Sequence, residues 1–534
     1  MTVLRKFHRE TAAALGCLAL VFAVYGRGLF YSFVYDDRWT VVENNAVQQP
    51  TPLARFFLDR NTVAAPATGM GDSIYRPLPT LTFALDRALG ARDPWRFRLE
   101  NVLLHALNGF LLWLLFRSVG FSFGASLAGS AAFLLHPAQV ETVQWVTQRS
   151  NLLCLGGLLG SVWALRRRSP WSLVGLAVAL LSKETAVMAL CLWPLFLRVY
   201  CPEEKFWESG PARVRVLAGA TLVAAYLFLR SAVVGSFAQR EFRGGGWGGS
   251  VLLGTVSWWE YLKLLLAPLG LRVSRRQYLD NPWTSPWAWV GLAAVALAAV
   301  GLVFLWRRNR RAAFWAGWIP ATLLPVLGLA PTDTFVAERF LYVPLVGLGG
   351  VAAIFWDRIS SEGARARRWV RGGTWGVLAL WGGLSCAQVG VWRNDLSLWT
   401  ATAARDPEHG FSWLCRAQAL NENKRWSEAE SEYLHALRVG LSRGHAAGAL
   451  TNLSDLRLRA GDPGGALAWA DKALVAAPAS PQALTHRAVA LVGLGRKNEA
   501  LAVVGQLESI RPGADEGRRL RRWVESAPRF RRGS

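Results

Sequence analysis

Asp36 and Asp37 stand side by side in "FVYDDRWTVVENNAV" (Phe33–Val47), directly after an apolar stretch that runs from Thr11 to Val34. A carboxylate held at a membrane edge can take a proton from a hydroxyl, which is the work of a general base. The plainer reading is a helix cap, since Asp is a favoured N-cap residue. Other polar groups recur at the ends of apolar stretches. They are Arg76 in "YRPLP", then His136, Glu141 and Arg149 in "HPAQVETVQWVTQRSNLL", Lys183 and Glu184 in "LSKETAV", and Glu338, Arg339 and Tyr342 in "AERFLYVP". An ionisable group within a span costs about 2.5–3.5 kcal/mol on insertion scales, so such groups are functional candidates by default. Each also has a structural reading. His136 before Pro137 can simply end a helix, Lys183 and Glu184 can neutralise each other, and Arg339 can snorkel. Tyr342, three residues from Arg339 and four from Glu338, would share their helix face and line the same site.

These groups need elements to carry them. The chain has 534 residues, 52% hydrophobic and only 18% charged, with 27 Trp and 25 Phe. Apolar runs long enough for a bilayer, roughly 20 residues each, recur from residue 11 to residue 391. The class is all-α, a polytopic helical membrane protein. The net charge of +24 does not indicate nucleic acid. Much of it sits between apolar runs, at 166–168, 307–311 and 358–371, in the manner of cytoplasmic loops. With the basic start "MTVLRKFHRE" inside as a retained signal-anchor, the first span delivers Asp36 and Asp37 to the outer face and opens an outer loop, 35–98. Further spans are expected near 99–118, 121–136, 151–165, 213–233, 285–306, 312–330, 338–356 and 371–391. Stretches 171–182 and 185–199 form a short hairpin with Lys183 and Glu184 at its outer tip, and 249–270 is re-entrant or interfacial. This gives about eleven crossings and places all five polar motifs on the outer side. The six Cys show no paired spacing that would indicate zinc or a disulfide framework.

From about residue 393 the long apolar runs stop. "EALAVVGQLESIRP" (Glu499–Pro512) overlays "GALAWADKALVAAP" (Gly465–Pro478), matching Ala466 to Ala500, Pro478 to Pro512 and Gly461 to Gly495. An earlier copy runs from Trp413 through Ala429, Tyr433 and Ala436. These segments resemble tetratricopeptide (TPR) repeats, about three of them, near the minimum for a stable stack. The domains are therefore 1–392 for the membrane part, 393–515 for the repeats and 516–534 for a basic tail. The repeats either pack only on the rest of the chain or hold an extended polypeptide in a concave groove.

Taken in order, "YDDRWTVVENNAV", "YRPLPTLTFALD", "RLENVLLHALNGFLLWLLF", "HPAQVETVQWVTQRSNLL", "LSKETAVMAL" and "ERFLYVP", followed by the repeats, resemble the transmembrane-and-tetratricopeptide-repeat O-mannosyltransferase family and its bacterial relatives. The resemblance covers nearly the whole chain. It implies a GT-C glycosyltransferase fold and a reaction that moves a sugar, mannose or a similar hexose, from a polyprenyl phosphate to a hydroxyl of an exported protein or glycan. It implies that Asp36 and Asp37 are catalytic, with Asp36 as base and Asp37 placing the acceptor. Arg149, Lys183 and Arg339 are then the candidates for the donor phosphate, with Arg76, His136, Glu141, Glu184, Glu338 and Tyr342 in support. No metal site and no cofactor beyond the lipid-linked sugar is expected, and a divalent ion stays compatible with the site. Expected partners are the lipid donor, a polypeptide in the repeat groove and membrane lipids. Lys supplies few of the 60 basic residues, which points to a GC-rich bacterial genome and an inner membrane, with the repeats outside the cytoplasm. The alternative is the endoplasmic reticulum with the repeats lumenal. Two other readings share these features, a membrane-anchored TPR scaffold without activity and a lipid-linked oligosaccharide polymerase or ligase.

Overall fold

A computed structural model describes residues 2–65, 74–204, 210–235, 242–276, 281–329, 331, 334–360, 364–512 and 514–527. Among them there are helices and no strands. The chain divides into two compact units, Met1–Val273 with Gln277–Asn394, and Ser274–Arg276 with Asp395–Ser534.

Among the described residues the first unit contains sixteen α-helices: α1 (Thr2–Tyr25), α2 (Asn45–Gln48), α3 (Arg55–Leu58), α4 (Pro77–Ala88), α5 (Pro94–Ser118), α6 (Phe123–Leu135), α7 (Gln139–Gln144), α8 (Arg149–Arg166), α9 (Trp171–Ser182), α10 (Ala189–Tyr200), α11 (Gly210–Val234), α12 (Trp247–Leu266), α13 (Pro286–Arg308), α14 (Arg310–Leu323), α15 (Leu345–Ser360) and α16 (Ala364–Val389). Local chemistry sets several starts. Pro opens α4, α5 and α13, where its missing N–H costs nothing. Ser122 and Asn309 cap α6 and α14 by accepting the N–H groups of Ala125 and Ala312.

Five helical segments among the described residues are long and apolar enough to cross a bilayer: Phe7–Phe30, Pro94–Ser118, Gly210–Val234, Pro286–Arg308 and Arg367–Arg393. The chain is an integral membrane protein. Lengths alone do not give eleven full spans. Helices α6, α9, α10 and α14 have 13, 12, 12 and 14 residues, and a 12-residue helix reaches about 18 Å, short of a ~30 Å hydrocarbon core. The outer loop 35–98 is not open coil, since it holds α2, α3 and α4. The span placed at 338–356 begins later. Glu338–Leu341 is a single 3-10 turn and α15 starts at Leu345. Of the 235–248 stretch, residues 236–241 lie outside the described residues.

Glycine lets the short helices approach one another. A Cβ on Gly157 of α8 would come within 2.6 Å of the Gly175 carbonyl of α9, so neither position tolerates a side chain. The close approach keeps the start of α8 beside the Lys183 tip.

The second unit contains α17 (Asp395–Arg405), α18 (Gly410–Glu422), α19 (Trp426–Val439), α20 (Arg443–Arg459), α21 (Pro463–Ala476), α22 (Pro481–Gly493), α23 (Lys497–Ile510) and α24 (Asp515–Ser526). Helices α18–α19, α20–α21 and α22–α23 form three helical pairs. Ala429, Ala436, Ala466, Ala473 and Ala500 are fully buried at the contacts, where a methyl group is all the space between helices allows. The segment expected to be a basic tail is ordered through α24. Its Leu520 and Val524 pack against Leu491, Val503 and Leu507, so α24 covers the open face of the last pair. Residues 528–534 of that tail lie outside the described residues.

Candidate functional site

The exit of α1 builds the first wall. After a 3-10 turn at Gly26–Phe30 the chain extends, then reverses at Tyr35, whose φ of +53° is rare for a residue with a side chain. Such a residue is strained by the order of 1–3 kcal/mol, and that strain clusters at functional sites. The reversal separates the two acids. Asp37 is fully buried. Its Oδ2 accepts the Val34 N–H at 3.1 Å and its Oδ1 accepts the Thr147 N–H at 3.0 Å. Asp37 therefore makes no side-chain cap on the turn that follows. Burial pushes its carboxyl up to about 7, against the pull of Arg98 and the two backbone N–H groups, with the charge of Asp36 adding to the rise. Asp36 is half-buried, and its carbonyl accepts the N–H of Thr40 at 3.0 Å.

The second wall is α7 with the 3-10 turn Glu338–Leu341. Glu141, fully enclosed, accepts from Arg339 twice, from Nη1 at 2.6 Å and from the backbone N–H at 3.0 Å. Burial works against the Arg339 charge, but Glu141 more than offsets it and keeps the guanidinium cationic, with Tyr35 and Asp36 adding to that effect. Asp36 thus lies in the field of Arg339. The Arg339 guanidinium sits over the rings of Trp145, 5.3 Å away, and Phe340, 5.2 Å away. Tyr35 packs on the same Trp145 with ring centres 5.4 Å apart.

The third wall is the α9–α10 tip. Lys183 Nζ donates to Asn151 Oδ1 at 2.6 Å and lies 5.2 Å from the Phe340 ring centre. Burial, and then the neighbouring Arg76, push the ammonium down to about 7. Arg76 makes a two-bond contact with Glu184, 2.6 Å and 3.1 Å. Burial alone would raise the Glu184 carboxyl, but Arg76 and Lys183 reverse this and hold it at about 2. The Arg76 and Glu184 side chains remain 24% and 40% exposed and Arg339 17%, so this face of the cluster is open. Three cations meet two paired carboxylates here, with Asp36 at the edge. The arrangement can hold an anion beside a potential base. Among the described residues no three His, Cys, Asp or Glu side chains gather as metal ligands.

Four sequence candidates are placed elsewhere. Arg149 is not available to a donor phosphate. It is fully buried, with Nη1 paired to Asp86 at 2.7 Å and Glu100 at 2.8 Å, Nη2 donating to the Phe97 carbonyl and Nε to Asn101 Oδ1. Its donors are spent in fastening α4 and α5 to α8. His136 is a packing residue, its Nε2 bonded to the Leu265 carbonyl at 3.2 Å and its ring against Trp381. Tyr342 does not join Arg339 in the cluster; it lies just past the 3-10 turn Glu338–Leu341. Its hydroxyl lies 2.9 Å from His105 Nδ1 and accepts from Asn108 at 3.0 Å, inside the helix core. Glu338 is buried and accepts the Arg272 N–H at 2.9 Å.

Sequence reading missed Arg98, Asn151, Trp145 and Phe340. Arg98 had a readable sign, a cation at the start of an apolar span. Asn151 and the two aromatic residues carried none, because their importance comes only from where the fold puts them.

No family model matches the chain. It is 34% identical over 194 residues to the Drosophila melanogaster protein O-mannosyl-transferase Tmtc1, an alignment covering 35% of this chain and 22% of that protein. A Caenorhabditis elegans protein O-mannosyl-transferase is 23% identical over 76% of this chain and 60% of its own length. Human TMTC4, also named a protein O-mannosyl-transferase, is 24% identical over 74% and 61%. The chain thus spans between about a fifth and three fifths of the length of these relatives. Among solved structures, an alignment to the Cut9–Hcn1 hetero-tetramer of the APC/C has a TM-score of 0.25 at 11% identity over 84% of this chain and 89% of that one, too low to support an argument. In sequence, the chain is similar to the TMTC protein O-mannosyl-transferases.

Proposed function

We propose that the chain is a membrane glycosyltransferase that moves a sugar, mannose or a similar hexose, from a polyprenyl phosphate to a hydroxyl of an exported protein or glycan. One observation carries this reading. Asp36 stands in the field of Arg339, and Arg339 shares the Phe340 ring with Lys183, which neighbours the Arg76–Glu184 pair. The lipid tail would stay in the bilayer while the phosphate meets Lys183, Arg339 and Arg76. Asp36 takes the proton of the acceptor hydroxyl as its oxygen bonds to the anomeric carbon. The bond from that carbon to the phosphate oxygen breaks, and the polyprenyl phosphate leaves with the electron pair. A positioned base contributes about 10²–10⁴ in rate, and cationic donors act on charge as it develops on the leaving oxygen. No cofactor beyond the lipid-linked sugar enters. The repeat unit holds the polypeptide acceptor outside the cytoplasm, in a bacterial inner membrane.

The test is transfer of labelled mannose from a polyprenyl phosphate to exported polypeptides by the purified protein in lipid nanodiscs. Glycosylated product that depends on the protein supports the reading. Absence of product with every polyprenyl-linked hexose offered removes it.

A further inference from the structure

Arg98 is a fully buried cation at the start of a membrane helix, and the reaction outlined above gives it no task. Its three nitrogens all donate to backbone carbonyls. Nε reaches the Gln144 carbonyl at 2.9 Å, while Nη1 and Nη2 hold those of Tyr31 and Ser32. Tyr31 and Ser32 belong to the extended exit of α1, and Gln144 ends α7. Arg98 therefore ties together two segments 113 residues apart, counted from Tyr31 to Gln144 (144 − 31). Asp37 makes a second tie between the same segments through Val34 and Thr147. A third comes from Gln144, whose side-chain amide donates to the Tyr25 carbonyl at 3.3 Å.

The two tied segments carry the opposite sides of the site. One ends in Asp36. The other contains Glu141, which fixes Arg339. The strained backbone of Tyr35 lies between the residues held by Arg98 and the acid pair, so the reversal persists only while its flanks are clamped. A charge kept in a buried place, at considerable solvation cost, to satisfy three carbonyls points to a requirement for fixed geometry.

We propose that Arg98, with Asp37 as its buried counter-charge, is a positioning residue that sets Asp36 against the Arg339–Lys183 cluster. This rests on the functional reading above. Asp37 then acts through geometry and does not touch the acceptor. Neutral residues of similar size cannot donate to three carbonyls at once. A displacement of about 1 Å at a reacting group can cost ~100-fold in rate.

The experiment compares wild type, Arg98→Gln, Arg98→Lys, Asp37→Asn and the double variant Asp37→Asn/Arg98→Gln, full-length in nanodiscs. Melting temperature, donor affinity, kcat and KM are measured, with amide exchange over 31–40 and 141–148. Arg98→Gln should lower kcat by about 100-fold with donor affinity changed by less than about threefold. It should also lose protection in both segments. Arg98→Lys should recover part of kcat. The double variant, with both charges gone, should regain part of the melting temperature lost in Arg98→Gln and none of the kcat, a split that a purely structural ion pair would not give. A folded Arg98→Gln with normal kcat, or a double variant restored in both properties, overturns the proposal. If wild type transfers no sugar, the functional reading falls by itself. The exchange data then decide, and unchanged protection of 31–40 in Arg98→Gln rejects the clamp.

Discussion

Donor binding should weaken as pH rises above about 7, and Lys183 should be the cause. In the free protein, burial and then Arg76 hold its ammonium at about 7, against 10.5 for an ordinary lysine. A phosphate beside it favours the charged form, so its pKa in the complex lies above the free value. The complex then binds more protons than the free protein between these two values. Affinity is therefore full below about 7 and falls as pH climbs towards the pKa of the complex. Each pH unit within that window is worth about 1.4 kcal/mol, or tenfold in Kd. From pH 7 to pH 9 the loss reaches about 50-fold if the pKa of the complex lies well above 9, and about 25-fold if it lies at 9. A glycosyl phosphodiester has no ionisation of its own in this range. The assay is equilibrium binding of a polyprenyl phosphosugar to nanodisc-embedded protein at pH 6, 7, 8 and 9. Lys183→Met should bind weakly with little slope. Lys183→Arg should bind with little slope and retain more affinity, because a guanidinium stays charged. Burial also raises the carboxyls of Asp37 and Glu141 to about 7, and the Met variant separates them from Lys183. A flat wild-type profile, or a slope that survives in Lys183→Met, would show that Lys183 does not carry the pH dependence.

Arg149→Ala should lower the yield and melting temperature of the protein instead of raising the donor requirement, because it strands Asp86 and Glu100; breaking a buried pair costs about 3–5 kcal/mol. A well-folded variant with weakened donor binding would return Arg149 to the phosphate site. The Arg76–Glu184 pair should make the first unit acid-sensitive. Glu184 is held at about 2, so its contribution is present above the ordinary value of 4.5 and lost as pH falls from there towards 2. Thermal melting of wild type and Glu184→Gln at pH 3 and pH 6 should show a smaller acid-induced drop in the variant, and equal drops would count against the pair. In the repeats, Ala473→Leu should destabilise the second unit by about 1–3 kcal/mol through overpacking, read as a lower melting transition, and an unchanged transition would mean the helices are not in contact there. A reporter fused after Ser534 should be active only in the exported compartment, and cytoplasmic activity would reverse the topology.

The all-α character and the helical repeats were legible because both rest on local signals, apolar run length and a recurring pattern of small residues. The polar motifs are legible as candidates, since charge near apolar stretches is costly wherever it occurs. Their roles were less so. Arg149 and Lys183 look alike in sequence, each a cation at the end of an apolar run. Only tertiary placement shows Arg149 enclosed by Asp86, Glu100, Phe97 and Asn101, and Lys183 beside Phe340 and Asn151. Helical spacing puts Tyr342 beside Arg339, but its hydroxyl is taken up by His105 and Asn108 inside the helix core, contacts that no spacing announces. The division between Asp36 and Asp37 depends on the positive φ at Tyr35, which a tyrosine does not announce. The cap on the last repeat was hidden because α24 is rich in arginine, with only Leu520 and Val524 supplying its contact face.

If Asp36 is the base beside a cation cluster that holds the lipid phosphate, removing its charge should stop transfer and spare binding. The most direct measurement is single-turnover transfer from a bound polyprenyl phosphosugar by wild type and Asp36→Asn, with donor affinity and melting temperature recorded on the same preparations. Asp36→Asn should lose at least about 100-fold in transfer rate while donor affinity and melting temperature stay near those of wild type. Full transfer by a folded Asp36→Asn protein would contradict it.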